Sequence, residues 1–156
     1  MAKNGKVDIN DLINFKNNIE KSLGSQQLNL FIESCAKELA ARLLAKVIKR
    51  TPVGQYPKSS GKKGGTLRRG WTGEKNQSGS AYAQSLNVSR TGNVYTIEIV
   101  NPVEYASYVE FGHRTRNHEG WVEGKFMLTI SEQEIERDAP KILENKLKKK
   151  LGECFK

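Results

Sequence analysis

Residues 101–116 read NPVEYASYVEFGHRTR and carry more information about this chain than any other segment. Pro102 can open a short helix, because the amide hydrogen that proline lacks is not used in the first helical turn. Gly112 should end that helix, since glycine readily adopts the backbone conformation that closes one. The aromatic side chains between these two residues then fall near one side of the helix, namely Tyr105, Tyr108 and Phe111.

The same segment crowds aromatic, acidic and basic side chains around one glycine without forming a recognisable catalytic motif. His113 and His118 lie in a polar, glycine-flanked loop, and no serine or cysteine nucleophile accompanies them. Metal binding by the two histidines with Glu119 is an alternative to a solvated turn. We predict recognition rather than catalysis, with no cofactor and no metal. We also expect salt bridges to Arg114 and Arg116 from the nearby carboxylates, Glu104, Glu110, Glu119 and Glu123.

Two helices are predicted before this segment, because apolar residues recur there at steps of three and four. The first extends from Asp8 to Leu23. The second begins after Ser25 and ends at Arg50, since Thr51 precedes a proline and is therefore disfavoured in a helical conformation. Together they form an N-terminal helix pair.

Two β segments, Ala81–Ser89 and Val94–Val100, are predicted to form an antiparallel hairpin. Apolar residues from Phe126 to Leu151 indicate a strand or helix leading into a C-terminal helix, which Pro140 should break or restart. The predicted fold class is α+β, with a small antiparallel sheet packed by the N-terminal helix pair and the C-terminal helix. The length is typical of a single domain over residues 1–156.

A long loop is predicted between residues 52 and 80, where glycine, proline, serine and lysine dominate. The run from Gly61 to Thr66 is not a Walker motif, because that motif ends in Gly-Lys-Ser/Thr and connects a strand to a helix. It is either a solvated lysine loop or a contact for DNA or an acidic protein surface. The basic residues that would make this contact are Lys58, Lys62, Lys63, Arg68 and Arg69.

Positive charge also dominates the whole chain. Its 156 residues include 26 Lys or Arg and 17 Asp or Glu, which gives a formal net charge of +9 at pH 7. Such a field favours an anionic partner, whether nucleic acid, an acidic protein or a membrane surface. Neither a signal peptide nor a run of roughly 20 apolar residues is present, so no membrane partner is expected. Cys35 and Cys154 are interpreted as reduced thiols of a protein made in the cytoplasm.

The C-terminal lysines share a predicted amphipathic helix with regularly spaced leucines. The lysines Lys146, Lys148, Lys149 and Lys150 lie close to Leu143, Leu147 and Leu151 in sequence. This pattern is typical of a solvated face beside an apolar stripe, and the alternative is an amphipathic contact with a partner subunit.

Four short elements occur in order along the chain: Thr51–Val53, Gly65–Trp71, Tyr105–Gly112 and Lys125–Met127. Together they resemble a family of small tail-component proteins of tailed bacteriophages, with neck, tail-completion and tail-terminator subunits among its members. The Tyr-Ala-x-Tyr-Val-Glu-Phe-Gly element is the most specific of the four. In the family the first two elements are nearly contiguous, whereas residues 54–64 separate them here and add positive charge.

The resemblance implies a non-enzymatic structural subunit that forms a hexameric ring at the head-proximal end of a tail, as a tail terminator, neck or collar protein. It would cap the tail tube and join it to the head or neck. The implied partners are further copies of itself, the tail tube protein, neck or connector proteins and, in a contractile tail, the sheath. Such a subunit is made in the bacterial host cytoplasm and becomes part of the virion or tail-like particle.

The residues expected at the ring's subunit interface are Tyr105, Tyr108, Glu110, Phe111, His113, Arg114, Arg116 and Trp121. The basic residues of the long loop would face the lumen or an adjacent ring, with transient contact to duplex DNA. One alternative is a non-sequence-specific DNA-binding or packaging accessory protein. A more distant alternative is a nuclease that uses the carboxylates near His113.

Overall fold

The computed structural model describes residues 9, 10, 13, 16 and 24–154. Within the predicted helix from Asp8 to Leu23, residues 10, 13 and 16 are helical and Ile9 is not, and the other residues lie outside the described part of the chain. The elements that follow are helices α1 (Ser25–Arg50), α2 (Thr66–Gly70) and α3 (Gly79–Ser85), strands β1 (Val88–Thr91) and β2 (Val94–Ile97), helix α4 (Ala106–Phe111), strands β3 (Gly112–Arg114) and β4 (Trp121–Glu123), and helix α5 (Met127–Cys154).

Helix α1 forms the centre of the core, and its bounds confirm the prediction. It ends before Pro52, where Thr51 has an extended backbone. The Thr51 hydroxyl and the Thr51 amide both donate to the carbonyl of Val47, at 2.6 Å and 2.9 Å, and close the last turn of the helix. The apolar residues that predicted the helix are buried, among them Leu28, Ile32, Cys35, Leu39, Leu43 and Val47.

Helix α5 runs antiparallel to α1, as the ion pairs between them show. Glu134 binds Lys46 and Arg50 near the end of α1, whereas Lys146 binds Glu38 nearer its start. Apolar residues of α5 complete the contact and are buried in the same core as α1, namely Leu128, Ile135, Ala139 and Leu143.

Pro140 lies inside α5 without ending it, so the predicted helix break is wrong. Proline in a helix interior removes one amide donor and crowds the carbonyl four residues earlier, at a cost on the order of 3 kcal/mol. Here Pro140 is exposed, while Ala139 and Leu143 beside it are buried. Burial of these neighbouring apolar side chains, together with ion pairs to α1 on both sides of the proline, offsets that cost.

The predicted hairpin is shorter than expected, because the segment from Ala81 folds first as α3. The Ser78 hydroxyl caps this helix by accepting a hydrogen bond from the Ala81 amide at 3.1 Å. Gly79 packs closely on α1, where a Cβ would lie 3.0 Å from the Cβ of Leu44. Contact with α1 therefore selects a helix where the local pattern favoured a strand.

Two separate two-stranded antiparallel sheets are present in the described part of the chain. Val88 of β1 lies opposite Ile97 of β2, and Gly112 of β3 lies opposite Glu123 of β4. The second pair replaces what was predicted to be only a polar turn. The α+β class is confirmed, but the single small sheet is wrong.

Candidate interaction surfaces

Thr51 joins two of the four motif elements that are distant in sequence. Its hydroxyl accepts a hydrogen bond from the Trp71 indole Nε1 at 2.8 Å, and its carbonyl accepts one from Arg68 Nη2 at 2.8 Å. Thr51 and Trp71 are both buried. A buried indole N–H needs an acceptor, and the hydroxyl of Thr51 at the end of α1 supplies it.

Asn101 ties the same region to the segment before α4. Its Nδ2 donates to the Leu67 carbonyl at 2.8 Å, and its Oδ1 accepts from the Val103 amide at 3.2 Å. Gly70 packs directly on this side chain, and a Cβ there would overlap it. The turn made by Asn101 delays the helix, which begins at Ala106 rather than at the predicted Pro102.

Glu110, predicted to lie at the subunit interface, is instead 3% exposed and bound inside the chain. Its carboxylate accepts hydrogen bonds from the amides of Leu128 at 2.9 Å and Thr129 at 2.8 Å. Helix α5 has no acidic residue in its own first turn, so Glu110 supplies the negative charge at the positive end of that helix. Sequence reasoning missed this cap, because its donors lie 18 and 19 residues away.

Two glycines allow close backbone contact between the end of α4 and the β3–β4 hairpin. Gly112 has a φ of 85°, and a Cβ there would overlap the Val122 carbonyl. A Cβ at Gly124 would overlap the Glu110 carbonyl in the same way. That carbonyl also accepts a hydrogen bond from the Phe126 amide at 3.0 Å. The helix, the β3–β4 hairpin and the start of α5 are therefore held at fixed positions relative to one another.

Five exposed aromatic side chains lie on α4, on the adjoining hairpin and at the start of α5. Each of them is between 40% and 58% exposed. The rings of Phe111 and Phe126 meet edge to face at 6.5 Å, and the Tyr108 ring lies 5.8 Å from the His113 ring. We term this set the aromatic surface: Tyr105, Tyr108, Phe111, Trp121 and Phe126. Exposed apolar side chains gathered in this way are typical of an interaction site.

The basic residues predicted for the interface border this surface. His113 and Arg114 are exposed on β3, and Arg116 is exposed in the turn that follows. Within residues 24–154, neither arginine forms an ion pair, so the predicted salt bridges to nearby carboxylates are not made there. Both exposed guanidinium groups are therefore available to bind another molecule.

Residues 54–64, which we term the basic loop, close on themselves. Gly64 packs on the Gly54 carbonyl, where a Cβ would overlap it. A short 3-10 turn, Lys58–Ser60, lies at the far end of the loop. The lysines of the basic loop are exposed, and Lys62 Nζ lies 5.9 Å from the centre of the Tyr56 ring. The loop thus presents Lys58, Lys62 and Lys63 to solvent.

Arg68 and Arg69, predicted to act with these lysines, both lie on α2 and bind back to the chain. Arg68 is half-buried and donates to the Thr51 carbonyl. Arg69 is exposed, and its Nη1 donates to the Gly64 carbonyl at 3.3 Å. The structure therefore gives Arg68 a contact within the scaffold and places Arg69 at the base of the basic loop.

Other kinds of site find little support in the described residues. No group of three His, Cys, Asp or Glu side chains there could hold a metal ion. None of the described helices combines the length and apolar character that crossing a membrane requires. Cys35 is buried, and burial raises the pKa of its thiol to about 12, so it stays protonated. The Cys154 side chain lies outside the described part of the chain.

Comparison with known proteins agrees with the first three motif elements, which lie within the matched segment. A protein-family model described as "Bacteriophage HK97-gp10, putative tail-component" matches residues 13–112, which is more than half of the chain. The chain belongs to this family of phage tail components. No curated protein and no solved structure gives a significant match.

The family match to this tail component ends at Gly112, where α4 closes. It includes α1, the buried contacts of Thr51 and Trp71, and the capping residue Glu110. The β3–β4 hairpin and α5 follow the matched segment. A phage tail component is a part of the virion, and the family's description names no reaction.

Proposed function

We propose that this tail component is a ring-forming subunit at the head-proximal end of the tail of a phage or phage-tail-like particle. The ring is a hexamer that acts as a tail terminator, neck or collar, caps the tail tube and joins it to the head or neck. Residues 1–156 serve as one tail-component domain. The observation that carries this proposal is the aromatic surface.

Exposed aromatic side chains favour a role in subunit contact. Trp121 is 55% exposed and Tyr108 is 58% exposed. Burying a large apolar side chain in a contact stabilises it by about 1.5–3 kcal/mol, and Trp, Tyr and Arg are enriched among the residues that dominate binding energy. Arg114 and Arg116 beside the aromatic surface fit the same description.

The aromatic surface is also held in place by contacts within the chain, which favours binding without rearrangement. Glu110 binds the start of α5, and Gly112 and Gly124 hold the hairpin against α4. Little conformational freedom would be lost on association, which lowers the free-energy cost of binding. Lateral contacts in a ring are heterologous, so the aromatic surface of one copy would meet a different surface of the next.

The mass of the purified protein tests this proposal. We expect a wild-type mass near six times the 17.5 kDa of the chain, measured by native mass spectrometry. Tyr108→Ala combined with Trp121→Ala should shift the protein to monomers and leave its cooperative melt intact, because both side chains are exposed. Tyr56→Ala is the matched control, since Tyr56 is 51% exposed but lies on the basic loop.

The location in the particle tests the axial contacts. Antibody labelling of assembled tails should mark one end of the tube, next to the tail tube protein and the neck or connector proteins, and to the sheath in a contractile tail. A wild-type protein that is strictly monomeric and absent from assembled tails would contradict the proposal.

A second candidate function, non-sequence-specific DNA binding or packaging, is favoured by the basic loop. Lys58, Lys62 and Lys63 are exposed, and none forms an ion pair with a described carboxylate. In a ring, the same lysines would face the lumen or an adjacent ring and contact duplex DNA transiently. Salt dependence separates the two functions, because a dedicated DNA binder loses affinity steeply from low to physiological salt. A ring subunit should bind free duplex weakly at either salt concentration.

A further inference from the structure

A groove of about 890 Å³ lies between the first half of α1 and the last half of α5. Among the described residues, those that line it belong to helices α1 and α5, and none of them is part of the aromatic surface or the basic loop. On the α1 side, Gln27, Leu30, Ser34 and Glu38 face it at steps of three and four, and Arg42 ends the row. These residues thus form one continuous stripe along the helix.

The length of this stripe sets the size of what the groove can hold. From position 27 to position 42 the helix rises roughly 22 Å, at 1.5 Å per residue. The facing residues of α5 include Ile142, Asn145 and Lys149, which also recur at steps of three and four. The groove between these two antiparallel helices is long enough to bind a third helix of about 15 residues.

Three of the residues that line the groove are apolar, namely Leu30, Phe31 and Ile142. Leu30 is 59% exposed although it is a large aliphatic residue, and it lies next to the largely buried Phe31. Ile142 of α5 is half-buried on the opposite side. A partner that presents apolar side chains along one face would remove this surface from water.

The rim of the groove is positive. Its acidic member, Glu38, is already neutralised by Lys146 at 2.8 Å and Arg42 at 3.0 Å. Lys141 is exposed and Lys149 is exposed, and neither forms an ion pair with a described carboxylate. The charge that complements this rim is negative.

We propose that the groove between α1 and α5 binds an acidic amphipathic helix of a partner protein, about four turns long. The apolar face of that helix packs on Leu30, Phe31 and Ile142, and its carboxylates pair with the lysines of the rim. The exposed Leu30 favours a protein over nucleic acid, because a phosphate backbone offers no apolar group to cover its side chain. The groove shares no lining residue with the aromatic surface, so substitutions in one can be tested without changing the other.

The probe for this proposal is a fluorescent synthetic peptide of about 15 residues with leucines along one helical face and glutamates on its flanks. Fluorescence anisotropy at physiological salt measures its binding to the full chain. Lys141→Glu with Lys149→Glu should weaken binding about tenfold or more, since both rim charges are reversed. Leu30→Ser should weaken it by about fivefold through loss of apolar contact.

Lys62→Glu with Lys63→Glu is the matched control, because it makes the same change in net charge at another exposed site. It should alter binding by less than about twofold, since charges farther away than the Debye length are screened. Circular dichroism melts verify that each variant is folded.

Three results would overturn the proposal. One is failure of the wild-type chain to bind the acidic peptide, and another is equal binding of a peptide with lysines in place of the glutamates. The third is loss of binding to a short DNA duplex, and not to the peptide, in the Lys141→Glu, Lys149→Glu variant. That result would assign the groove to nucleic acid.

Discussion

The carboxylate of Glu110 accepts hydrogen bonds from both the amide and the hydroxyl of Thr129, at 2.8 Å and 2.7 Å. Thr129 belongs to the first turn of α5, whereas Glu110 is the penultimate residue of α4. The most specific motif element of the chain is thereby attached to the start of the long C-terminal helix. This attachment also places the exposed aromatic residues on a rigid base.

Replacing Glu110 should therefore destabilise the fold. Glu110→Ala leaves the amides of Leu128 and Thr129 buried without their acceptor, which we expect to cost about 1–3 kcal/mol. Urea denaturation followed by circular dichroism measures the loss. Glu104→Gln is the control, because Glu104 is exposed and its replacement should change stability by less than about 0.5 kcal/mol. Equal effects of the two changes would disprove the capping role.

Trp71→Ala should destabilise the domain by about 3 kcal/mol, through lost burial and the cavity left behind. Trp71→Phe separates the hydrogen bond from the packing, because it keeps an aromatic ring but removes the N–H that binds Thr51. We expect an intermediate loss in thermal melts. Trp121→Ala provides the contrast, because the Trp121 side chain is 55% exposed in the single chain. The melting temperature of this variant should stay close to that of the wild type.

Gly112→Ala should be more harmful than Gly92→Ala, although both glycines have positive φ. At Gly92 nothing lies within 4 Å of an added Cβ, so only the backbone cost of about 1–2 kcal/mol applies. At Gly112 the added atom would also overlap the Val122 carbonyl. Chemical denaturation of the two variants gives the comparison, and similar free energies of unfolding would contradict the close backbone contact.

The contribution of Glu134 should depend on pH. Hydrogen bonds from Lys46 and Arg50 lower the pKa of Glu134 from 4.5 to about 2. Because the folded-state pKa is the lower one, the ionised carboxylate stabilises the fold above pH 4.5, and this stabilisation is lost as pH falls toward about 2. The difference in melting temperature between wild type and Glu134→Gln should shrink over that range. Glu136→Gln, at an exposed position of the same helix, should show no such trend.

Replacing Lys58, Lys62 and Lys63 together with alanine should leave folding intact. All three side chains are exposed on the basic loop, and surface changes of this kind usually shift stability by less than about 0.5 kcal/mol. A thermal melt of the variant should remain cooperative with an unchanged midpoint. Loss of the cooperative melt would show that the lysines support the fold.

Local patterns predicted some elements well. The bounds of α1 follow from regular apolar spacing and from the Thr51–Pro52 stop, and the end of α4 follows from Gly112. These signals lie within a few residues of what they determine. The strand predicted from Ala81 failed for the opposite reason, because packing of Gly79 on Leu44 favours a helix there.

The candidate site divides in the same way. Sequence alone predicted an interface role for Tyr105, Tyr108, Phe111 and Trp121 and placed Lys58, Lys62 and Lys63 in a loop, but it missed the exposed Phe126. It could not show that Glu110 is buried as the cap of α5, or that Arg68 binds the carbonyl of Thr51. Those contacts join residues 17 or more positions apart, and only the packed helices bring them within hydrogen-bonding distance. The sequence by itself thus determined the family, the longest N-terminal helix and the charge, whereas tertiary packing decided which polar residues are internal and which remain exposed.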